Sequence, residues 1–425
     1  MTVLTRFDEA GCGCGSVDPV NGLLAIDEAI ARITQSVSQV AETEEVALAD
    51  ACGRILAGPV CANSARPAFD NSAMDGYALD STSLTGAGPW RLDVTARIAA
   101  GQMAYSWLEP GTAAQIFTGA PIPRGADAVV MQEQVEARDG KIFLTRKPPA
   151  HAHIRAAGEE LAAGAVVVPA GRRMTARGIA ACAAAGVGTV RVRRRIRVAL
   201  LVTGDEVTAP GQALNPAGIW DVNTPMLGAL IAMPGIDLVA VDTGKDNRAA
   251  LRQQLGRLAK CVDLIVTTGG ISVGEEDHVR PALNDLGVKT LFSGVAMKPG
   301  KPVSFGQLAS ALWLGLPGNP LSAFVTWQLF GTVLCAALCG TAPFAAPRRR
   351  VVLGRALHHK YGRCELRLAS ISGFDTHGRE VVVFEDATHS GRVTTLAEAD
   401  GILLIPAEAE HLPEGALVEF QPFCD

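Results

Sequence analysis

Apolar residues recur at helical spacing in Leu23-Leu24-Ala25-Ile26-Asp27-Glu28-Ala29-Ile30, which predicts an amphipathic helix early in the chain. A second helix is expected over residues 48–56, stopped by Gly58-Pro59. Beyond it the pattern shortens. Between residues 67 and 149, alternating runs such as Ala128-Val129-Val130-Met131 and Lys141-Ile142-Phe143-Leu144 are cut by Gly, Pro and Asp, as in a small β-rich domain. At Ile196 the pattern changes again. Residues 196–202 and 262–266 are continuous apolar runs, each ending in a polar glycine loop, with helical spacing between them at 226–233 and 248–260. Strands alternating with helices predict an α/β domain, whose ligands collect beyond the carboxyl ends of the strands. The last part returns to short strands at 351–353, 380–384, 402–405 and 418–420, which predict a small separate β domain.

A chain of 425 residues needs more than one core, and 48% hydrophobic with 19% charged residues excludes a disordered polypeptide. The net charge of -5 argues against a nucleic-acid coat while leaving room for a local basic pocket. Residues 321–338 approach the length of a bilayer, yet Pro320 precedes them and Thr326, Gln328, Gly331 and Thr332 interrupt them. A buried core helix is the better reading. The Ala-rich run 179–190 is shorter, and residues 1–15 lack the apolar core of a signal peptide. Ten cysteines without a repeating framework suit reduced thiols, so the expectation is a cytoplasmic protein with no membrane and no nucleic-acid partner. Cys12-Gly13-Cys14 has no second pair nearby to complete a metal site and reads as part of a flexible tail.

Candidate chemistry gathers in four loops. Thr203-Gly204-Asp205-Glu206 sets two carboxylates directly after a strand. Residues 267–277 combine Gly269, Gly270 and Gly274 with hydroxyls, Ser272 among them, and the acids Glu275, Glu276 and Asp277. Glycines let backbone N–H groups approach a phosphate, and the acids would repel that phosphate unless a hard cation such as Mg²⁺ lies between. Lys298-Pro299-Gly300-Lys301-Pro302 offers two point charges for an anion on a stiff backbone. Gly315-Leu316-Pro317-Gly318-Asn319-Pro320-Leu321-Ser322 leads into the long apolar helix, whose N-terminus adds partial positive charge. Singly, each fits a plain turn or a solvated helix start. Their coincidence in one α/β segment points to a site.

Six segments in order resemble one family. They are Phe69-Asp70-Asn71-Ser72-Ala73-Met74-Asp75-Gly76-Tyr77, Phe117-Thr118-Gly119-Ala120-Pro121-Ile122-Pro123, the Thr203 loop, Gly269-Gly270-Ile271-Ser272-Val273-Gly274-Glu275, the Lys298 loop, and Leu316-Pro317-Gly318-Asn319-Pro320. Together they are similar to the molybdopterin molybdenumtransferases of the MoeA type, related to the E domain of gephyrin. The resemblance implies a multidomain α/β plus β fold: a central three-layer α/β domain, a small β-rich domain, a helical and extended linking domain, and a C-terminal β domain. The boundaries expected are a tail at 1–20, a discontinuous linking domain at 21–66 with 155–193, the β-rich domain at 67–154, the α/β domain at 194–342 and the last domain at 348–425.

The resemblance also implies a reaction, in which adenylylated molybdopterin and molybdate give molybdenum cofactor and AMP. It implies a homodimer whose sites draw on both subunits, an upstream adenylyltransferase, and recipient molybdoenzymes. The family's functional acids fall on Asp75, Glu206, Asp246 and Asp277, with Thr118 as a hydroxyl contact and Glu206 and Asp277 on the Mg²⁺. Gly269, Gly270, Ser272 and Gly274 fall in the pterin-phosphate loop. Molybdate, shaped like sulfate, would take Lys298, Lys301, Ser322, the N–H groups after Pro317, and Arg363. Two plainer roles stand beside these: an Asx turn before Gly76 for Asp75, and a helix N-cap for Asp246. The chain departs from the family at Glu160, where an aspartate is usual, at Arg367, one place early, and at His389-Ser390-Gly391-Arg392, where a glycine-rich segment is shortened. The alternatives are a gephyrin-like scaffold without catalysis, a nucleotide-linked pyrophosphatase, and the adenylyl transfer that precedes this step.

Overall fold

The computed structural model describes residues 22–103, 107–214, 216–271, 277–342, 347–385, 391 and 393–423. Ser272, Gly274, Glu275, Glu276 and the Cys12/Cys14 tail lie outside the described residues, as does most of 389–392. The chain forms two compact units, one of Glu45–Cys52 with Leu56–Val192, the other of the residues up to Glu44, Gly53–Ile55 and the chain from Arg193 onward.

In the smaller unit a six-stranded sheet runs in the order Ala128–Met131, Gly76–Leu79, Thr112–Ile116, Trp90–Ile98, Lys141–Leu144 and Glu136–Arg138. Leu79, Leu92, Ile142 and Leu144 fill one face, while Ala78, Ile98, Ala114 and Ile116 fill the other. Alternation along each strand delivers both sets. The Ala-rich run supplies the helix Ala176–Ala184, started by Thr175 Oγ1 accepting from Gly178 N (3.3 Å). The expected helix at 48–56 is absent: only a 3₁₀ turn forms at Leu48–Asp50. Gly53 explains the stop, because its φ of +76° is left-handed and a Cβ there would sit 2.1 Å from Pro234 Cβ.

The larger unit holds a six-stranded sheet in the order Ile236–Gly244, Ile196–Thr203, Leu264–Thr268, Ala311–Leu316, Ser304–Leu308 and Lys289–Ser293. The first four strands are mutually parallel and the last two antiparallel. Within Ile196–Thr203, Val198, Leu200 and Val202 face one core, and Ala199 and Leu201 face the other. Helices cover both faces: Ile26–Ser36, Asn223–Ile231 and Pro320–Cys339 on one, Arg248–Leu258 and Val279–Asp285 on the other. This is the three-layer α/β arrangement. Among the described residues Pro320–Cys339 is the one helix apolar and long enough to cross a membrane, and it is 89% buried within the fold.

Two corrections concern this sheet. The strand expected at 262–266 starts later, at Leu264, because Asp263 turns its carboxylate onto Arg194 and the Arg197 amide. Ala311–Leu316, Ser304–Leu308 and Lys289–Ser293 were not anticipated, and neither was the strand Ile236–Gly244. It is an edge strand with Val239, Val241 and Thr243 exposed, so it carries no buried apolar run.

The C-terminal strands Cys364–Phe374, Glu380–Phe384, Arg349–Leu353, Leu417–Pro422 and Gly401–Ile405 pair in that order, and the last returns to the first, closing a barrel. Val351, Leu353, Val382, Leu403 and Phe420 fill it. Four of these strands match the apolar runs read from sequence. Cys364–Phe374 does not, because Glu365 and Arg367 are buried inside it at 5% and 4% exposure.

Candidate active site

The carboxyl ends of three parallel strands, Ile196–Thr203, Leu264–Thr268 and Ala311–Leu316, open on a cleft of about 450 Å³. Glu206, Asp246, Asp277, Gly269, Gly270, Pro317 and Trp220 all line it. The glycine turn is forced by packing. Gly269 has φ +88°, and a Cβ there would lie 2.7 Å from Thr203 Oγ1. With no side chains at 269 and 270, the backbone itself faces the cleft.

Asn223 ties the loops together. Its Nδ2 donates to Gly318 O (2.7 Å) and Thr268 Oγ1 (3.0 Å), while Thr268 Oγ1 donates to Pro317 O (3.0 Å). Both carbonyls only accept, so the direction of every bond in this chain is determined. The Pro317-Gly318 loop is thereby locked to the end of Leu264–Thr268. Asp221 supports the same corner, its Oδ1 accepting from Thr224 N (2.9 Å) at the start of Asn223–Ile231.

The same cleft holds a crowded anionic pole. Asp205 N donates to Asp246 Oδ2 (3.1 Å), and Asp246 N donates to Asp205 Oδ1 (3.4 Å). Burial and the charges of Asp205 and Glu206 raise the Asp246 carboxyl above its ordinary range, against the Asp205 amide and His278. The N-cap role considered for Asp246 belongs instead to Asn247, whose Oδ1 accepts from Ala249 N and Ala250 N (both 3.0 Å). Glu206 is set by its own carbonyl, which accepts from Ile219 N (2.9 Å).

Among the described residues no three His, Cys, Asp or Glu side chains converge as a metal cage. A Mg²⁺ ion that binds with phosphates needs only one or two carboxylates from the protein. The mutual repulsion at Asp205, Glu206 and Asp246 is the environment such a cation relieves, so these residues fit it.

Lys298 and Lys301 are exposed, in a loop whose Pro302 borders the cleft. Met297–Lys298 runs parallel to Cys364–Phe374, with Lys298 in register with Glu365, so Arg363 falls beside Ala296. Ser322 is 3% exposed and does not line the cleft; Pro317 does.

Asp75 and Thr118 meet in the smaller unit. Asp75 Oδ1 accepts from Thr118 N (2.8 Å) and Thr118 Oγ1 (2.7 Å), which lowers its pKa. The carboxylate thus reaches across the chain and closes no Asx turn before Gly76. Glu160 forms an exposed ion pair with Arg66 (2.7 Å). Arg367 is internal, donating to Glu365 Oε1 (3.0 Å) and His358 O (2.7 Å).

Sequence reasoning missed Trp220 and Asn223. Trp220 is 44% exposed on a cleft wall, held where Ile219–Trp220 pairs with Val207–Thr208. A tryptophan with polar neighbours Asp221 and Asn223 in Ile219-Trp220-Asp221-Val222-Asn223 was the available signal.

Three family models match the chain: the MoeA N-terminal region (domain I and II) over residues 24–186, a probable molybdopterin binding domain over 199–336, and the MoeA C-terminal region (domain IV) over 350–423. The chain is 33% identical over 398 residues to molybdopterin molybdenumtransferase 2 of Mycobacterium tuberculosis (strain ATCC 25618 / H37Rv), covering 91% of this chain and 97% of that protein. It is 37% identical over 380 residues to molybdopterin molybdenumtransferase of Nostoc sp., covering 88% and 87%. A solved structure of the molybdopterin biosynthesis MoeA protein from Pyrococcus horikosii superposes with a TM-score of 0.82 at 27% identity, covering 95% of this chain and all of that one.

Proposed function

The chain belongs to the molybdopterin molybdenumtransferase family, and from that membership we infer that it is a molybdopterin molybdotransferase acting in molybdenum cofactor biosynthesis. Its reaction places molybdenum from molybdate onto molybdopterin. In the finer reading the pterin arrives adenylylated, AMP leaves as molybdenum is inserted, and the work is done in the cytoplasm.

One observation carries this reading: acids that repel one another share a single cleft with a bare glycine turn. Glu206 and Asp277 would hold Mg²⁺, with Asp246 lining the same cleft. When bound, the ion screens the phosphoanhydride and stabilises charge building on the departing phosphate. Gly269 and Gly270 present backbone to the phosphates, and Trp220 offers its face to a planar ring of the substrate. Lys298, Lys301, Arg363 and the backbone after Pro317 attract molybdate and orient it. Asp75 and Thr118, prearranged and exposed, serve the same reaction in a homodimer.

The test is AMP release from adenylylated molybdopterin with molybdate and Mg²⁺, comparing wild type with Glu206→Gln. Molybdate-dependent release that the variant loses supports the reading. Release that ignores molybdate would make the chain a pyrophosphatase, and substrate binding without release would make it a scaffold.

A further inference from the structure

Two imidazoles that the proposed reaction does not use face each other on the C-terminal barrel. The short strands Leu357–His358 and His411–Leu412 pair antiparallel, with His358 in register opposite His411. On the next rung His359 N donates to Glu410 O (3.0 Å). Hydrogen-bonded and non-hydrogen-bonded rungs alternate, so His358 and His411 occupy the rung on which facing side chains stand closest. Their ring centroids are 4.4 Å apart, with planes inclined by 33°. Both residues are exposed.

We infer that His358 and His411 form a two-ligand surface site for a divalent transition-metal ion of the Ni²⁺, Cu²⁺ or Zn²⁺ type. Imidazole nitrogen prefers these ions, whereas Mg²⁺ prefers oxygen, so the site is chemically distinct from the carboxylate pole of the cleft. The rings already stand side by side, so the pair is arranged for one ion to bridge them. Solvent fills the other coordination positions, since among the described residues no group of three or more ligating side chains gathers.

The backbone beneath the pair is anchored by hydrogen bonds. His358 O accepts from Arg367 Nη2 (2.7 Å), and Arg367 is 4% exposed and held by Glu365. Past His359 the same two segments stay joined, with Gly362 N donating to Ala407 O (2.9 Å). A bound ion therefore staples the ladder that leads into Arg363, and stabilises the folded chain by mass action.

The experiment titrates NiCl₂ into the full chain by calorimetry, with MgCl₂ as the oxygen-seeking control, and records Tm with and without Ni²⁺. Wild type, His358→Gln, His411→Gln and His377→Gln are compared; His377 is an exposed histidine elsewhere in the last domain. Wild type and His377→Gln are expected to bind Ni²⁺ alike and to gain Tm from it. Either variant of the pair should weaken that binding by at least roughly tenfold and erase the Tm gain, because a lost ligand costs no less than a lost supporting contact. Their metal-free Tm should match wild type, which shows that the fold is intact. Equal Ni²⁺ binding by all four proteins would overturn the inference, as would a Tm gain from Mg²⁺ that the paired variants also lose.

Discussion

Asp205 and Asp246 hold one another through reciprocal hydrogen bonds, each backbone N–H donating to the other's carboxylate. That clasp joins the loop after Ile196–Thr203 to the loop after Ile236–Gly244 and keeps like charges close beside Glu206. Carboxyls perturbed in this way by burial and like charges cluster at functional clefts.

Asp246→Asn should therefore stabilise the metal-free protein while lowering activity. Burial and neighbouring acids raise the folded pKa of Asp246. Its contribution to stability is full below the unfolded value and is lost as pH rises through the folded value. The variant removes that loss, so at neutral pH its Tm should rise by roughly 1–2 °C, a gain kept small by solvent screening. Thermal melts at neutral and acid pH, paired with AMP-release assays, check both halves.

Thr118→Val keeps the backbone donor to Asp75 and removes the hydroxyl donor. Hydrogen bonds from Thr118 hold the Asp75 carboxyl below its ordinary value. That contribution is present above the ordinary value and is lost as pH falls through the lowered one. The variant should shift the Asp75 titration upward and reduce turnover several-fold, with Tm unchanged because the pair is exposed. A carboxyl-resolved NMR titration reads the first effect.

Asn223→Ala breaks the bonds to Thr268 and Gly318 and leaves the buried Thr268 hydroxyl without its donor. The expected cost is roughly 1–3 kcal/mol of stability, read from denaturant unfolding. Substrate KM should rise as the Pro317-Gly318 loop loosens.

Trp220→Ala should raise the KM for the pterin substrate by roughly tenfold or more, the scale of an aromatic stack on a planar base. Trp220→Phe should retain most of the affinity. Tryptophan fluorescence quenched by substrate in wild type, and not in either variant, would locate the contact.

Much of this protein was legible in its sequence because local patterns report local structure. The apolar run at Ile196, the alternation at Lys141–Leu144 and the interrupted helix after Pro320 each announced an element that burial then confirmed. Glu206 and Gly269 could be picked out because strand ends of an α/β sheet are where ligands gather.

Other features depended on partners distant along the chain. Residues 48–56 look helical until Gly53 must fit against Pro234. Cys364–Phe374 looks too polar for a core strand until Arg367 and Glu365 are seen to satisfy each other inside it. Asp75 looks like a turn residue until Thr118 arrives, and His358 is unremarkable until His411 stands opposite. The amino-acid order by itself determined some of the elements, the α/β and β character of the parts, and the loops that carry charge. Tertiary structure alone decided which acid caps, which acid repels its neighbour and which side chains meet, because those depend on distances between residues that no local pattern encodes.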